Sequence, residues 1–122
     1  MGSWIECKDD KGHNVEQNKY NFLKAFADNK PLVCKCGGKL IYQSHQVYPN
    51  SNNYKAEFVL VNVKRIKEPY PKYVPFLLKF RDQNGDYAYW LQYWVRVKGH
   101  WRYGQYSPLL NTKQMRSLSK LL

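Results

Sequence analysis

Between Tyr87 and Tyr103 the chain reads YAYWLQYWVRVKGHWRY, seven aromatic rings with Arg96, Lys98 and Arg102 and no carboxylate. Flat rings stack on nucleobases, at about 1–3 kcal/mol per base, and fixed cations neutralise phosphates. These residue types are the chemistry of recognition for single-stranded or structured nucleic acid, RNA or DNA. Successive side chains of a strand face opposite ways. Ala88, Trp90, Gln92, Trp94, Arg96 and Lys98 then share one face, and Tyr87, Tyr89, Leu91, Tyr93, Val95 and Val97 the other. The odd set reads as the core face. The even set, two indoles beside two cations, reads as an open face for a polyanion, which His100 and Arg102 continue after a Lys98-Gly99 turn. A C-terminal helix brings Arg116 and Lys120. The candidate nucleic-acid-binding set is therefore Trp90, Trp94, Arg96, Lys98, Arg102, Arg116 and Lys120. Under a packed helix the same indoles would instead be core, with the cations at its rim on buried stems.

A second group has metal-ligating chemistry. The segment Cys34-Lys35-Cys36-Gly37-Gly38-Lys39-Leu40 resembles the knuckle of zinc ribbons, where Cys-x-x-Cys-Gly precedes a strand. The resemblance covers seven residues and departs in spacing, Cys-x-Cys, with no second knuckle after it. The remaining candidate ligands are Cys7 and His13. Cys7, His13, Cys34 and Cys36 form a Cys₃His set, enough for a closed tetrahedral structural zinc site that would tie the N-terminal arm to the sheet. Without a metal, the same residues are two small thiols in a glycine turn and a free Cys7.

Catalytic patterns are sparse. Two-metal nuclease chemistry needs clustered carboxylates, and the chain has nine acids in all. Glu57 and Lys64 flank a strand as in some nucleases, but Asn62 stands where the acid belongs. Gly-x-Ser-x-Gly, Walker and Rossmann patterns are missing. Metal-independent RNA cleavage needs a proton acceptor, a proton donor and cations for the phosphorane. His45, His100, Tyr103, Arg96 and Arg102 supply those types, and small basic ribonuclease toxins have a similar outline at the level of fold. A third class is an accessory module for an acidic protein partner.

These side chains need elements to hold them. Residues 1–13 read as a polar arm. Asn14 and Gln17 make a capping pair, and Tyr20, Leu23 and Ala27 repeat at helical spacing to the break at Pro31, predicting a helix over 15–29. Beyond Pro31 the period becomes two. Strands are expected over 39–48, 54–66, 74–80, 87–97 and 100–106, with Gln83-Asn84-Gly85-Asp86 a hairpin signal. Asn111 and Gln114 cap a last helix, whose Met115, Leu118, Leu121 and Leu122 should dock on the sheet. The order predicts one α+β domain over 1–122: an antiparallel sheet of four to five strands, with an N-terminal and a C-terminal helix on one sheet face.

Composition bounds the partner. Twenty Lys and Arg against nine Asp and Glu give +11 over 122 residues. Residues 1–31 hold five acids and five lysines, so 32–122 carry the whole excess. Such asymmetry suits a polyanion. There is no apolar run long enough to span a membrane, no export signal is visible, and three cysteines read as reduced thiols in the cytoplasm.

Overall fold

The structure, a computed structural model, describes residues 3–8, 18–47, 55–66, 72–103 and 109–121. The elements in chain order are β1 (Ser3–Cys7), α1 (Lys19–Ala27), β2 (Leu40–Val47), β3 (Lys55–Arg65), β4 (Tyr73–Arg81), β5 (Tyr87–Val97), β6 (His100–Tyr103), β7 (Leu109–Asn111) and α2 (Thr112–Lys120). They make one seven-stranded antiparallel sheet in the order β1-β2-β3-β4-β5-β6, with β7 also paired to β5. β6 takes the Trp94–Val97 end of β5 and β7 the Ala88–Trp90 end, so both lie along one edge. The sheet curls into a half-barrel.

A sheet of four to five strands is therefore too small. The five expected strands correspond to β2–β6, and two more are present. β1 lies within the arm read as polar. Its five residues offer only Ile5 and Cys7 to the inside, and pairing with β2 supplies the burial that makes it a strand. β7 has three residues, too few to show a period, and is held by β5. The N-terminal helix is shorter than 15–29. Asn18 is its cap, its side chain accepting from the Asn21 N–H at 3.0 Å; Asn14 and Gln17 lie outside the described residues. The helix stops at Ala27 with Asp28 as its C-cap, and Asn29 follows with a φ of 58°, the left-handed conformation Asn tolerates. α2 has the expected capping box, Asn111 with Gln114. Its apolar stripe is only partly covered: Met115 is half-buried, Leu118 and Leu121 are exposed, and Leu122 lies outside the described residues.

One sheet face is closed by α1 and holds the core. Inward residues are Ile5 and Cys7, Leu40, Tyr42 and Ser44, Phe58, Leu60 and Val63, then Val74, Phe76, Leu78 and Phe80. From α1 come Tyr20, Phe22 and Leu23. The β3 run is apolar on both sides in sequence, and a register shift between Leu60 and Asn62 decides which residues go in. Strict alternation from Phe58 and Leu60 would bury Asn62. The bulge turns Val63 inward, leaves Val61 and Asn62 exposed, and lets Asn62 Oδ1 accept the Val63 N–H at 2.9 Å.

Two turns set the register of β5. Asp82 Oδ1 accepts the N–H groups of Asn84 and Asp86, both at 2.9 Å, closing the β4–β5 hairpin. Lys98 and Gly99 take φ of 50° and 79°, the doubly positive pattern of a two-residue type I′ hairpin.

Candidate functional site

The parity of β5 decides which of its faces meets solvent. The β4–β5 pairing sets Phe80 opposite Ala88, Leu78 opposite Trp90, Phe76 opposite Gln92 and Val74 opposite Trp94. The even face of β5 thus continues the buried face of β4. Trp94 is 8% exposed, 6.0 Å from Tyr20 of α1 between ring centroids. Trp90 is half-buried against Phe80 and Tyr103. The expectation that the even face lies open is overturned by this register. After the turn, Tyr103 pairs with Trp94 and Trp101 with Arg96, so Trp101 and Tyr103 join the inner face. Trp101 stacks on Tyr20 at 4.2 Å, and Arg96 stands 6.0 Å from Trp101 at the rim. Lys98 is exposed in the turn, and Arg116 and Lys120 are exposed on α2. Of the expected set, Arg102 shares the outer face with Val95.

The outer face of β3–β6 carries the combination the sequence placed on the wrong side. Across it, Arg81 pairs with Tyr87, Asn62 with Lys79 and Lys79 with Tyr89, Lys64 with Leu77 and Leu77 with Leu91, and Tyr73 with Val95. Lys79 Nζ lies 4.1 Å from the Tyr87 ring centroid and 5.8 Å from that of Tyr89. The Arg81 guanidinium is 5.9 Å from Tyr87 on the same row. Tyr73 and Tyr93 rings are 5.4 Å apart at 32°. Tyr87 is 38% exposed and Leu91 45%, which a covering element would not permit. β4, β5 and β6 contain no Asp or Glu. Among strand residues the outward carboxylates, Glu6 and Glu57, lie on β1 and at the start of β3, and the exposed Asp86 of the β4–β5 turn directly precedes Tyr87. Lys79 and Arg81 stand among the basic residues that recur along the strands, but were left out of the candidate set because the odd set of β5 read as core. The signal was available: an antiparallel pair has constant i + j, and Arg81 opposite Tyr87 makes even residues face even. The apolar Phe76, Leu78 and Phe80 therefore pull Trp90 and Trp94 inward.

The second group does assemble. Cys7 ends β1. Cys34 and Cys36 sit in the turn between Val33 and Lys39, which pair as an isolated bridge. That turn is held by Cys34 N–H to Gly38 O at 2.9 Å and Gly37 N–H to Cys34 O at 2.8 Å, with Gly37 at φ 86°. Lys8 N–H to Lys39 O, 2.9 Å, joins it to β1. The three Sγ atoms all lie within 4.8 Å of one another, Cys7 and Cys36 at 3.4 Å. Cys7 and Cys34 are buried and Cys36 is exposed. The Cys36 backbone N–H leads in holding the Cys34 thiol below the ordinary thiol range. At Cys36 the Gly38 N–H acts in the same direction, but hydrogen bonds that its own S–H gives to the Cys7 and Cys34 sulfurs, burial and the Cys34 charge together push it up to about 11. His13 lies outside the described residues.

No known protein family, curated protein or solved structure matches this chain.

The outer face offers rings and cations to a flat polyanion. The three cysteines could bind a metal ion. The groups weighed for RNA cleavage do not converge: His100 and Arg102 face outward from β6, while Tyr103 and Arg96 are on the inner face. The side chain of His45 is outside the described residues. No helix among the described residues is long and apolar enough to cross a membrane.

Proposed function

We propose that this protein binds single-stranded nucleic acid across the outer face of β3–β6, with bases on Tyr87, Tyr89 and Tyr93 and phosphates on Lys64, Lys79, Arg81 and Arg102. The reading rests on Lys79 standing 4.1 Å from the ring of the exposed Tyr87, on strands free of carboxylates. A cation over an exposed ring gains about 0.5–1 kcal/mol, so it is already placed beside the ring that a base would cover. The charge asymmetry of the whole chain supports the same partner, since 32–122 carry all of the +11.

A filter-binding titration with homopolymer RNA and DNA at two salt concentrations tests it. Binding should weaken steeply with salt, because each neutralised phosphate of a single strand contributes a slope of about −0.7 in log K against log salt. Weak binding that salt leaves unchanged overturns the reading.

We also propose that zinc is the ion taken by Cys7, Cys34 and Cys36. Zinc–sulfur bonds of about 2.3 Å put tetrahedral thiolates about 3.8 Å apart, within the spacing of these sulfurs. Elemental analysis of purified protein should find one zinc per chain, and a chain purified without metal that takes none up removes this part.

A further inference from the structure

The three sulfurs also support a chemistry that needs no metal. Cys7 Sγ and Cys36 Sγ stand 3.4 Å apart and share a hydrogen bond. An approach of about 1.4 Å brings them to disulfide length. Cys34 Sγ lies within 4.8 Å of both, so three pairings compete. Cys34 and Cys36 are separated by one residue, and a bridge between them closes a small ring inside the turn. That turn is already held by Cys34 N–H to Gly38 O and Gly37 N–H to Cys34 O, and forcing the ring into it stores strain. Cys7 comes from the end of β1, 29 positions from Cys36, and Lys8 N–H to Lys39 O already fixes the two segments side by side. Cys7 with Cys36 is thus the pair that is nearest and joins two separate, aligned segments.

We propose that Cys7 and Cys36 form a reversible disulfide when the chain meets a hydroperoxide, and that Cys34 stays a thiol. The two thiols give up two electrons and two protons as the S–S bond forms. With hydrogen peroxide the O–O bond breaks, takes up both, and leaves as two waters. Whichever sulfur the oxidant takes first, thiol–disulfide exchange among neighbours this close carries the bond to the least strained pair. Cys36 is exposed while Cys7 and Cys34 are buried, so Cys36 is the sulfur at which an external thiol attacks to reopen the bond. Zinc held by the same sulfurs loses two ligands in this step and is released. The bond itself still ties β1 to the 34–36 turn.

Peptide mapping of the full chain tests this. Trypsin cuts after Lys8, Lys24, Lys35 and Lys39, and Pro31 protects Lys30, so the cysteines separate into peptides 1–8, 25–35 and 36–39. The chain is treated with stoichiometric hydrogen peroxide, before and after chelation, then alkylated and digested. Peptides 1–8 and 36–39 should be joined with the loss of two hydrogens, Cys34 should be alkylated, and dithiothreitol should undo the link. Cys34→Ser should leave the link intact. In urea the preference for this pair should vanish. No link in either sample, a link through 25–35, or the same preference in urea overturns the inference. A chain that forms the link but never held zinc removes the metal reading alone, and one that holds zinc but forms no link removes this inference alone.

Discussion

Trp94 and Tyr87 are aromatic residues seven positions apart on one strand, and the structure gives them opposite tasks. Trp94 lies among Tyr20, Tyr103 and the Val74 row. Trp94→Ala should cost about 3–5 kcal/mol, as large aromatic truncations in cores do. Tyr87→Ala removes a 38% exposed ring and should cost about 0.5–1 kcal/mol of stability, the worth of its contact with Lys79. It should weaken single-strand affinity by about 5- to 150-fold, the worth of one stacked base. Urea unfolding beside homopolymer binding separates the two effects. A Tyr87→Ala chain that binds as tightly as the parent would sink the interface. Lys79→Gln adds an independent check: if Lys79 meets a phosphate, the salt slope should fall in magnitude by about 0.7. The residue types were legible from sequence, since aromatics and cations crowd 87–103 with no acid. Their direction was not, because a one-position change of parity exchanges the two faces of a strand.

At the scale of elements, the bulge in β3 does what alternation cannot. It turns Leu60 and Val63 to the same side although three positions separate them. Val61 and Val63 would share a face in an unbroken strand and respond alike to truncation. With the bulge, Val63→Ala should cost about 1.5–2 kcal/mol, the loss of two buried methylene equivalents, because Val63 is 3% exposed. Val61→Ala, at 41% exposure, should cost less than about 0.5 kcal/mol. Equal losses in thermal or urea unfolding would put the bulge elsewhere. Little in the run Phe58–Val63 marks it beforehand. Asn62 is the one hint, as a polar residue that must be kept out of the core. Elements with local signals were readable: the Asn111–Gln114 capping box, the Asn84-Gly85 and Lys98-Gly99 turns, and the helical spacing of Tyr20, Leu23 and Ala27. β1 and β7 were not, since five and three residues depend on their partner strands for both hydrogen bonds and burial.

Across the whole molecule, stability should be graded from the middle of the sheet to its β1 edge. β3, β4 and β5 each have neighbours on both sides and enclose Phe58, Phe76 and Phe80. β1 pairs with β2 alone. Beyond that pairing, it is held by Ser3, whose Oγ accepts from Lys19 Nζ at 3.1 Å and Tyr42 OH at 3.2 Å, by the Lys8–Lys39 hydrogen bond, and by Cys7 beside the 34–36 turn. Local opening draws on the least supported unit first. If the thiols hold zinc, the ion is the strongest of these ties, because it joins β1 to a turn 29 residues away and binds the folded arrangement in preference to the unfolded one. Chelation should then speed amide exchange at Trp4–Cys7 and Cys34–Gly38 by at least about tenfold, equivalent to about 1.4 kcal/mol of local stability, while amides of β4 and β5 keep their protection. Cys7→Ser should reproduce that local pattern without chelator. Exchange that accelerates evenly over all strands would mean that the ion supports the core directly, and exchange unchanged at β1 would leave the thiol cluster with no part in holding the edge.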